Sequence, residues 1–235
     1  MHNRNAHTAL PIYMQISESL MRDIAGGRYV EGERLPPERI LAASYKTTVR
    51  TLRKSLAELE KNGMLERIQG SGNYVRNNAD ARSIYSMFRL ELPTGGGLPS
   101  ADILAVEYRE KPADLPEFGA SNHASMIRRL RYLDNIIIAV EEIWLDADSG
   151  RVDPAQLSDS LYLYYQKKLG FWVSRAVDSV SIDPTPDWAP TEFGVPHGGI
   201  AGYIERLSWA QDPAPVEFSR TWFDTKNARY VQRLQ

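Results

Sequence analysis

The chain has 235 residues, enough for one large domain or two small ones, and its 43% hydrophobic and 25% charged residues are ordinary proportions for a globular protein. The lack of cysteine excludes a disulfide framework, a thiolate nucleophile and any cysteine metal site; no apolar run approaches the roughly 20 residues that cross a bilayer, and the opening MHNRNAHTALPIYMQ lacks a signal peptide's apolar core, so a cytoplasmic protein with no membrane partner is expected. The net charge of −2 divides unevenly: residues 1–76 carry 12 Lys+Arg against 8 Asp+Glu and residues 77–235 carry 16 against 22, a basic front joined to an acidic remainder.

In chain order, Pro11 precedes a run in which Ile12, Ile16, Leu20 and Ile24 recur at helical spacing until Gly26-Gly27 ends it. A turn-rich connector leads to a second, short helix with Pro37 in its first turn, running to about Tyr45 and carrying Ile40, Leu41 and Ala43 inward. On a third helix, Val49, Leu52, Leu56 and Leu59 form one apolar stripe, Thr48 suits the N-cap, and Gly63 suits the left-handed position past the C-terminus. MLERI and NYV are then strand candidates joined through Gln69-Gly70-Ser71-Gly72, a hairpin signal. Residues 1–75 thus form a mainly α domain of three helices with a β-hairpin, and the polar stretch 76–83 reads as a linker.

From residue 84 to 235 the apolar period becomes two, and SIYSMFRLEL, DILAVEYRE, SMIRRLRYL, NIIIAVEEIWL, WVSRAVDSVSI, IAGYIERLSWAQ and VEFSRTWFD are strand candidates. Only Pro154–Leu169 and Thr225–Leu234 read as helical, so the second domain is α+β with a mostly antiparallel sheet.

The third helix keeps Arg50, Thr51, Arg53 and Lys54 away from its leucine stripe. Such a helix can enter the major groove of double-stranded DNA while its leucines hold it to the other two helices. Arginine bonds guanine edges bidentately, and threonine or lysine reaches phosphates. The Gly-Ser-Gly hairpin then serves as a wing, its glycines letting backbone N–H groups approach the phosphates. It is no nucleotide-binding loop, because the Lys-Ser/Thr that would follow is missing.

The run from Gly27 to Val75 resembles the winged helix-turn-helix of the GntR superfamily of bacterial repressors. The matching features are Gly32, Leu35-Pro36-x-Glu38-Arg39, Leu41-Ala42, Thr51-Leu52-Arg53-x-x-Leu56, Leu59, Gly63 and Gly70-x-Gly72, in an alignment that covers nearly all of residues 11–76 without a gap. Thr48-Val49-Arg50 mimics the family's Thr-Val-Arg three residues early, but the downstream leucines and Gly63 fix the register on Thr51-Leu52-Arg53. The resemblance implies operator contacts at Arg39, Thr48, Arg50, Thr51, Arg53, Gly70 and Ser71. One departure is Lys46-Thr47-Thr48, where the family usually has Gly-Val-Ser. Lysine held at positive φ costs about 1 kcal/mol, while its ammonium group adds a phosphate contact, so Lys46 joins the DNA-binding set.

In the second domain Arg129 and Arg131, two apart, share a strand face. A two-residue turn at Asp134-Asn135 sets Glu142 opposite Ile127, whereas one extra loop residue sets Glu141 opposite Arg129, and periodicity leaves both registers open. This half resembles the UTRA effector-binding domain of the HutC branch, whose fold is similar to chorismate lyase. Its landmarks are Arg129-x-Arg131 with Glu141 twelve positions on, Ser160-Leu161-Tyr162 opening a helix, and Asp212-x-x-Pro215-Val216-Glu217-Phe218-Ser219. The resemblance implies an effector site at Arg129, Arg131, Glu141, Ser160, Tyr162 and Glu217, with Phe223 standing where the family often has tyrosine. Two arginines and a helix N-terminus suit a carboxylate- or phosphate-bearing small molecule. The five tryptophans read as core or cavity wall and His197 as a loop histidine; with only His123 and His197 in this half, neither metal nor cofactor is expected.

These readings converge on a ligand-responsive repressor that binds a palindromic operator as a homodimer. The rivals are a chorismate lyase-like enzyme acting on a small carboxylate, for which no nucleophile, metal set or His–carboxylate pairing is evident, and a nucleoid-type binder that responds to no metabolite.

Overall fold

The computed structural model describes residues 10–76, 87–157, 160–211 and 213–233. The expected linker beyond Arg76, the first residues of SIYSMFRLEL, Asp212 and Leu234 lie outside the described residues. Contacts divide the chain into two compact units, residues 10–98 with the segment from Tyr230, and Pro99–Arg229.

The first unit contains α1 (Ile12–Ala25), α2 (Glu38–Ser44), α3 (Val49–Lys61) and a hairpin of β1 (Leu65–Ile68) and β2 (Gly72–Val75). Leu52, Leu56 and Leu59 are fully buried against Ile16, Leu20 and Leu41, which fixes the rotation of α3 about its axis. Thr48 caps α3 as expected, its hydroxyl accepting the Thr51 amide at 3.1 Å, and Gly63 takes the left-handed conformation after it. Lys46 adopts φ +49°, so the glycine-type turn before α3 is kept with a lysine in it. Two expectations for α2 are corrected: Ile40 is 60% exposed and Ala43 is exposed, and the residues turned inward are Leu41 and Ala42. A helix of 7 residues presents too narrow a stripe to bury four consecutive positions. Residues 87–98 also fold with this unit. Leu98 packs on its core, the Gly97 carbonyl accepts from Arg22 at 2.9 Å, and Glu91 in β3 (Leu90–Glu91) pairs with Arg233. Of SIYSMFRLEL, only these two residues are strand among those described.

The second unit is built on a six-stranded antiparallel sheet. Its strands are β4 (Pro99–Glu110), β5 (His123–Leu133), β6 (Ile136–Asp146), β7 (Arg175–Pro184), β8 (Ile200–Trp209) and β9 (Glu217–Phe223), in the order β4-β5-β6-β9-β8-β7. The helix expected over Pro154–Leu169 is interrupted. A 3-10 turn at Pro154–Gln156 stops at extended Leu157, and α4 (Leu161–Tyr164) continues as a π turn, Tyr165–Leu169. The expected helix from Thr225 is absent over its described residues: Thr225–Asn227 is a turn. There the Asp224 carboxylate accepts the Lys226 amide at 2.8 Å, a local bond that competes with helix formation.

The β5–β6 register combines the two alternatives. Asp134 and Asn135 form a two-residue turn with φ of +48° and +67°, yet Arg129 stands opposite Glu141. The reconciling feature is a β-bulge: Arg131 pairs with Ala139 and Tyr132 with Ile137, leaving Ile138 as the extra residue.

Replacing Lys46 by glycine should relieve the positive-φ strain and stabilise the protein by about 0.5–1 kcal/mol, read as a higher urea midpoint; an unchanged or lower midpoint contradicts this. Leu56→Ala should cost about 2–5 kcal/mol in the same measurement, because it opens a cavity where exposure is 0%.

Candidate functional site

In the first unit, the burial of the leucine stripe turns Arg50 and Arg53 outward. Arg39, Lys46 and Arg50 are exposed, and no ion pair holds any of them among the described residues. Arg53 differs. Its Nε donates to Glu38 Oε2 at 2.7 Å, yet its side chain remains 62% exposed. Arg67, on the wing strand β1, reaches the other oxygen of Glu38 at 3.5 Å. Thr48 and Thr51 share a hydroxyl bond of 3.0 Å at the start of α3. Lys54 is exposed and lies 5.9 Å from the ring centroid of Tyr13 on α1. At the wing tip Gly70 has φ +77°, and the Ser71 hydroxyl pairs with that of Tyr74 at 2.7 Å. Between α2, α3 and the wing lies a cleft of about 780 Å³ whose lining includes Arg34, Glu38, Arg39, Arg53, Arg67 and Ser71. Sequence reasoning missed Arg34, Arg67 and the part played by Glu38. The signal for Arg67 was its place on the short strand MLERI beside the hairpin turn.

In the second unit, the ladder puts the candidate effector residues on one sheet face. Directly opposed residues share a face, which gives successive rows across the strands. One row runs Arg131, Ala139, Phe223, Gly202 and the next Arg129, Glu141, Thr221, Ile204. A third runs Ile127, Ile143, Ser219, Arg206, Asp178 and a fourth Ser125, Leu145, Glu217, Ser208. Arg129 donates twice to Glu141 Oε2, at 2.9 and 2.6 Å, and Arg131 donates to Oε1 at 2.7 Å. All three side chains are buried. Burial alone would raise the Glu141 carboxyl, but the two guanidiniums override it and hold the group down at about 2. The trio therefore carries one net positive charge.

Glu217 lies two rows away, 1% exposed. It accepts from Tyr165 at 2.6 Å, Ser208 at 3.0 Å and Tyr162 at 3.3 Å. Burial pushes its carboxyl upward against the pull of the Tyr165 and Ser208 hydroxyls and of Arg206. Burial, with Glu217 beside it, pushes the Tyr162 hydroxyl up to about 12, so it stays a donor. Arg206 makes two bonds to Asp178, at 2.6 and 2.7 Å. Ser160 stands at the N-terminal end of α4, half-buried, without capping it through its side chain. Phe223 lies over Gly202, where an added Cβ would come within 2.3 Å of its ring. Arg206, Asp178 and Ser208 on this face, and Tyr165 reaching it from the π turn, were not anticipated. Period-two alternation in IERLSW put Arg206 and Ser208 on one side, but nothing local said which side that was.

Comparison with known proteins agrees with this architecture. Residues 12–75 match the family described as bacterial regulatory proteins, gntR family, and residues 95–229 match the UTRA domain. The chain is 50% identical to the HTH-type transcriptional regulator SmoD of Agrobacterium fabrum, over 97% of each sequence. It is 24% identical to the HTH-type transcriptional repressor NagR of Bacillus subtilis, over 99% of this chain and 98% of that one. Among solved structures, the possible transcriptional regulator YydK of Bacillus subtilis shares the fold with a TM-score of 0.52 at 17% identity, over 96% of this chain and all of that one. The paired reader and sensor architectures, joined to half-identity with a regulator along nearly the whole chain, identify the protein as a member of the GntR family in its UTRA-bearing HutC branch, a DNA-binding transcriptional regulator and not an enzyme.

Proposed function

We propose that the protein is a ligand-responsive repressor that reads a palindromic operator as a homodimer and answers to a small anionic metabolite. One observation carries this reading: Arg39, Lys46, Arg50 and Arg53 are exposed around a helix whose opposite stripe is fully buried. Cations held outward on a rigid helix are what phosphate neutralisation and base-edge bonding require. Thr48, Thr51, Gly70 and Ser71 supply the polar and backbone contacts of the same surface, and a symmetric pair of readers fits an inverted repeat. Repression agrees with the name of the relative NagR.

The effector assignment rests on Arg129, Arg131, Glu141, Glu217 and Phe223 sharing one sheet face, with Tyr162 reaching it from α4. The net positive charge of the Arg129–Glu141–Arg131 trio favours a carboxylate or phosphate. Such a ligand acts by its unequal affinity for the dimer geometries that fit and misfit the operator.

Lys46→Ala should weaken binding to all duplexes alike and reduce the slope of log affinity against log salt by about one, checked by fluorescence anisotropy over a salt series; an unaltered slope removes Lys46 from the interface. In a thermal-shift screen of sugar phosphates and organic acids, a true effector at 100 times its Kd should add about 2.7 kcal/mol of stability. That gain should vanish in Arg129→Ala, and an equal gain in the variant would reject the assigned face.

A further inference from the structure

Glu38 places a carboxylate at the edge of a surface proposed to meet DNA, where a negative charge should weaken phosphate binding. It is not an incidental surface charge, because two cations from different elements converge on it. Arg53 from α3 bonds one oxygen at 2.7 Å, and Arg67 from the wing reaches the other at 3.5 Å. The Arg53 bond uses Nε alone. Its two terminal nitrogens are left at the exposed end of a side chain that is 62% accessible, while Glu38 is only 21% accessible.

An arginine side chain has rotamer freedom to lose when it docks. A guanidinium held by its inner N–H has already lost part of that freedom and presents its outer nitrogens as a fixed fork. A fixed fork matches the O6 and N7 acceptors of guanine and matches no other base edge as well. The same carboxylate ties the wing strand to the helix, so the cleft between them is held by a charge bridge.

We propose that Glu38 is the specificity-determining positioning residue of the reader: without touching DNA, it sets Arg53 to read a guanine in each half-site. This rests on the operator-reading function proposed above and adds a base and a second residue to it.

The test is selection from randomised duplexes by the full-length protein, followed by affinities for the selected site, single-base variants of it and random DNA. Wild type should prefer guanine at one position per half-site. Arg53→Lys keeps the charge but has no fork, and should lose that preference at that position alone. Glu38→Ala should lower discrimination there by roughly tenfold, with affinity for random DNA unchanged or increased. Glu38→Gln keeps an acceptor for Nε and should retain most of the preference, which a general packing defect would not allow. Arg67→Ala should weaken binding without altering base choice. A preference left intact by Glu38→Ala, or affinities for specific and random DNA lost in equal measure, overturns the role of Glu38. Wild type with no preferred sequence overturns the operator-reading function itself. Melting curves identify a misfolded variant, in which case the contrast between Arg53→Lys and Glu38→Gln decides alone.

Discussion

Complete burial of Leu52, Leu56 and Leu59 determines what the rest of the first unit can do. Each fully buried leucine contributes about 1.5–3 kcal/mol, so rotating α3 to hide its arginines would forfeit the contribution of all three. The helix is therefore locked with one side inside the protein and the other outside. The short turn before it is built to serve that orientation, even with Lys46 in a conformation that glycine would adopt more readily. The Thr48 cap starts the helix at the point where the cations begin. Packing thus fixes the placement of charge, and the ion pairs only refine it.

The second unit solves a different problem. One face of its sheet carries Arg129, Arg131, Glu141, Arg206, Asp178 and Glu217, which are costly to bury without partners. Each of the six has a charged or hydroxyl partner close by. Tyr162 of α4 and Tyr165 of the π turn that continues it both reach Glu217, which links this segment to the far end of the polar rows. The result is a face whose charged groups are paired, although the buried Nε of Arg131 has no hydrogen-bond acceptor among the described residues. The effector proposed above would meet groups that already have partners, not an empty void.

Much of this was legible in the sequence, and what was not has a common cause. Helix α3, its cap, its closing glycine and the wing turn depend on residues a few positions apart, so their pattern is visible locally. The long strands were equally plain from alternation. The exposure of Ile40 was missed because a two-turn helix gives periodicity too little length to define a face. The turn at Thr225 was missed because Asp224 competes through a side-chain bond that apolar spacing does not register. The ion pair of Arg53 with Glu38 spans 15 positions, and Glu217 meets Tyr165 across 52. Contacts of that range follow from packing, so the candidate effector residues came from family resemblance where spacing could not supply them.

The bulge at Ile138 has a further consequence. Its side chain is fully buried and its carbonyl accepts the Asp224 amide at 2.8 Å, but it occupies no rung of the β5–β6 ladder. Loss of that one codon would leave Arg129 facing Glu141. Loss of Val140 would instead slide the strand by a rung, and Arg129 would then face Glu142. Glu142 already holds Arg128 at 2.9 and 2.7 Å, so the second loss would take that acid from its own cation and turn the rest of β6 over, whereas the first removes only the bulge.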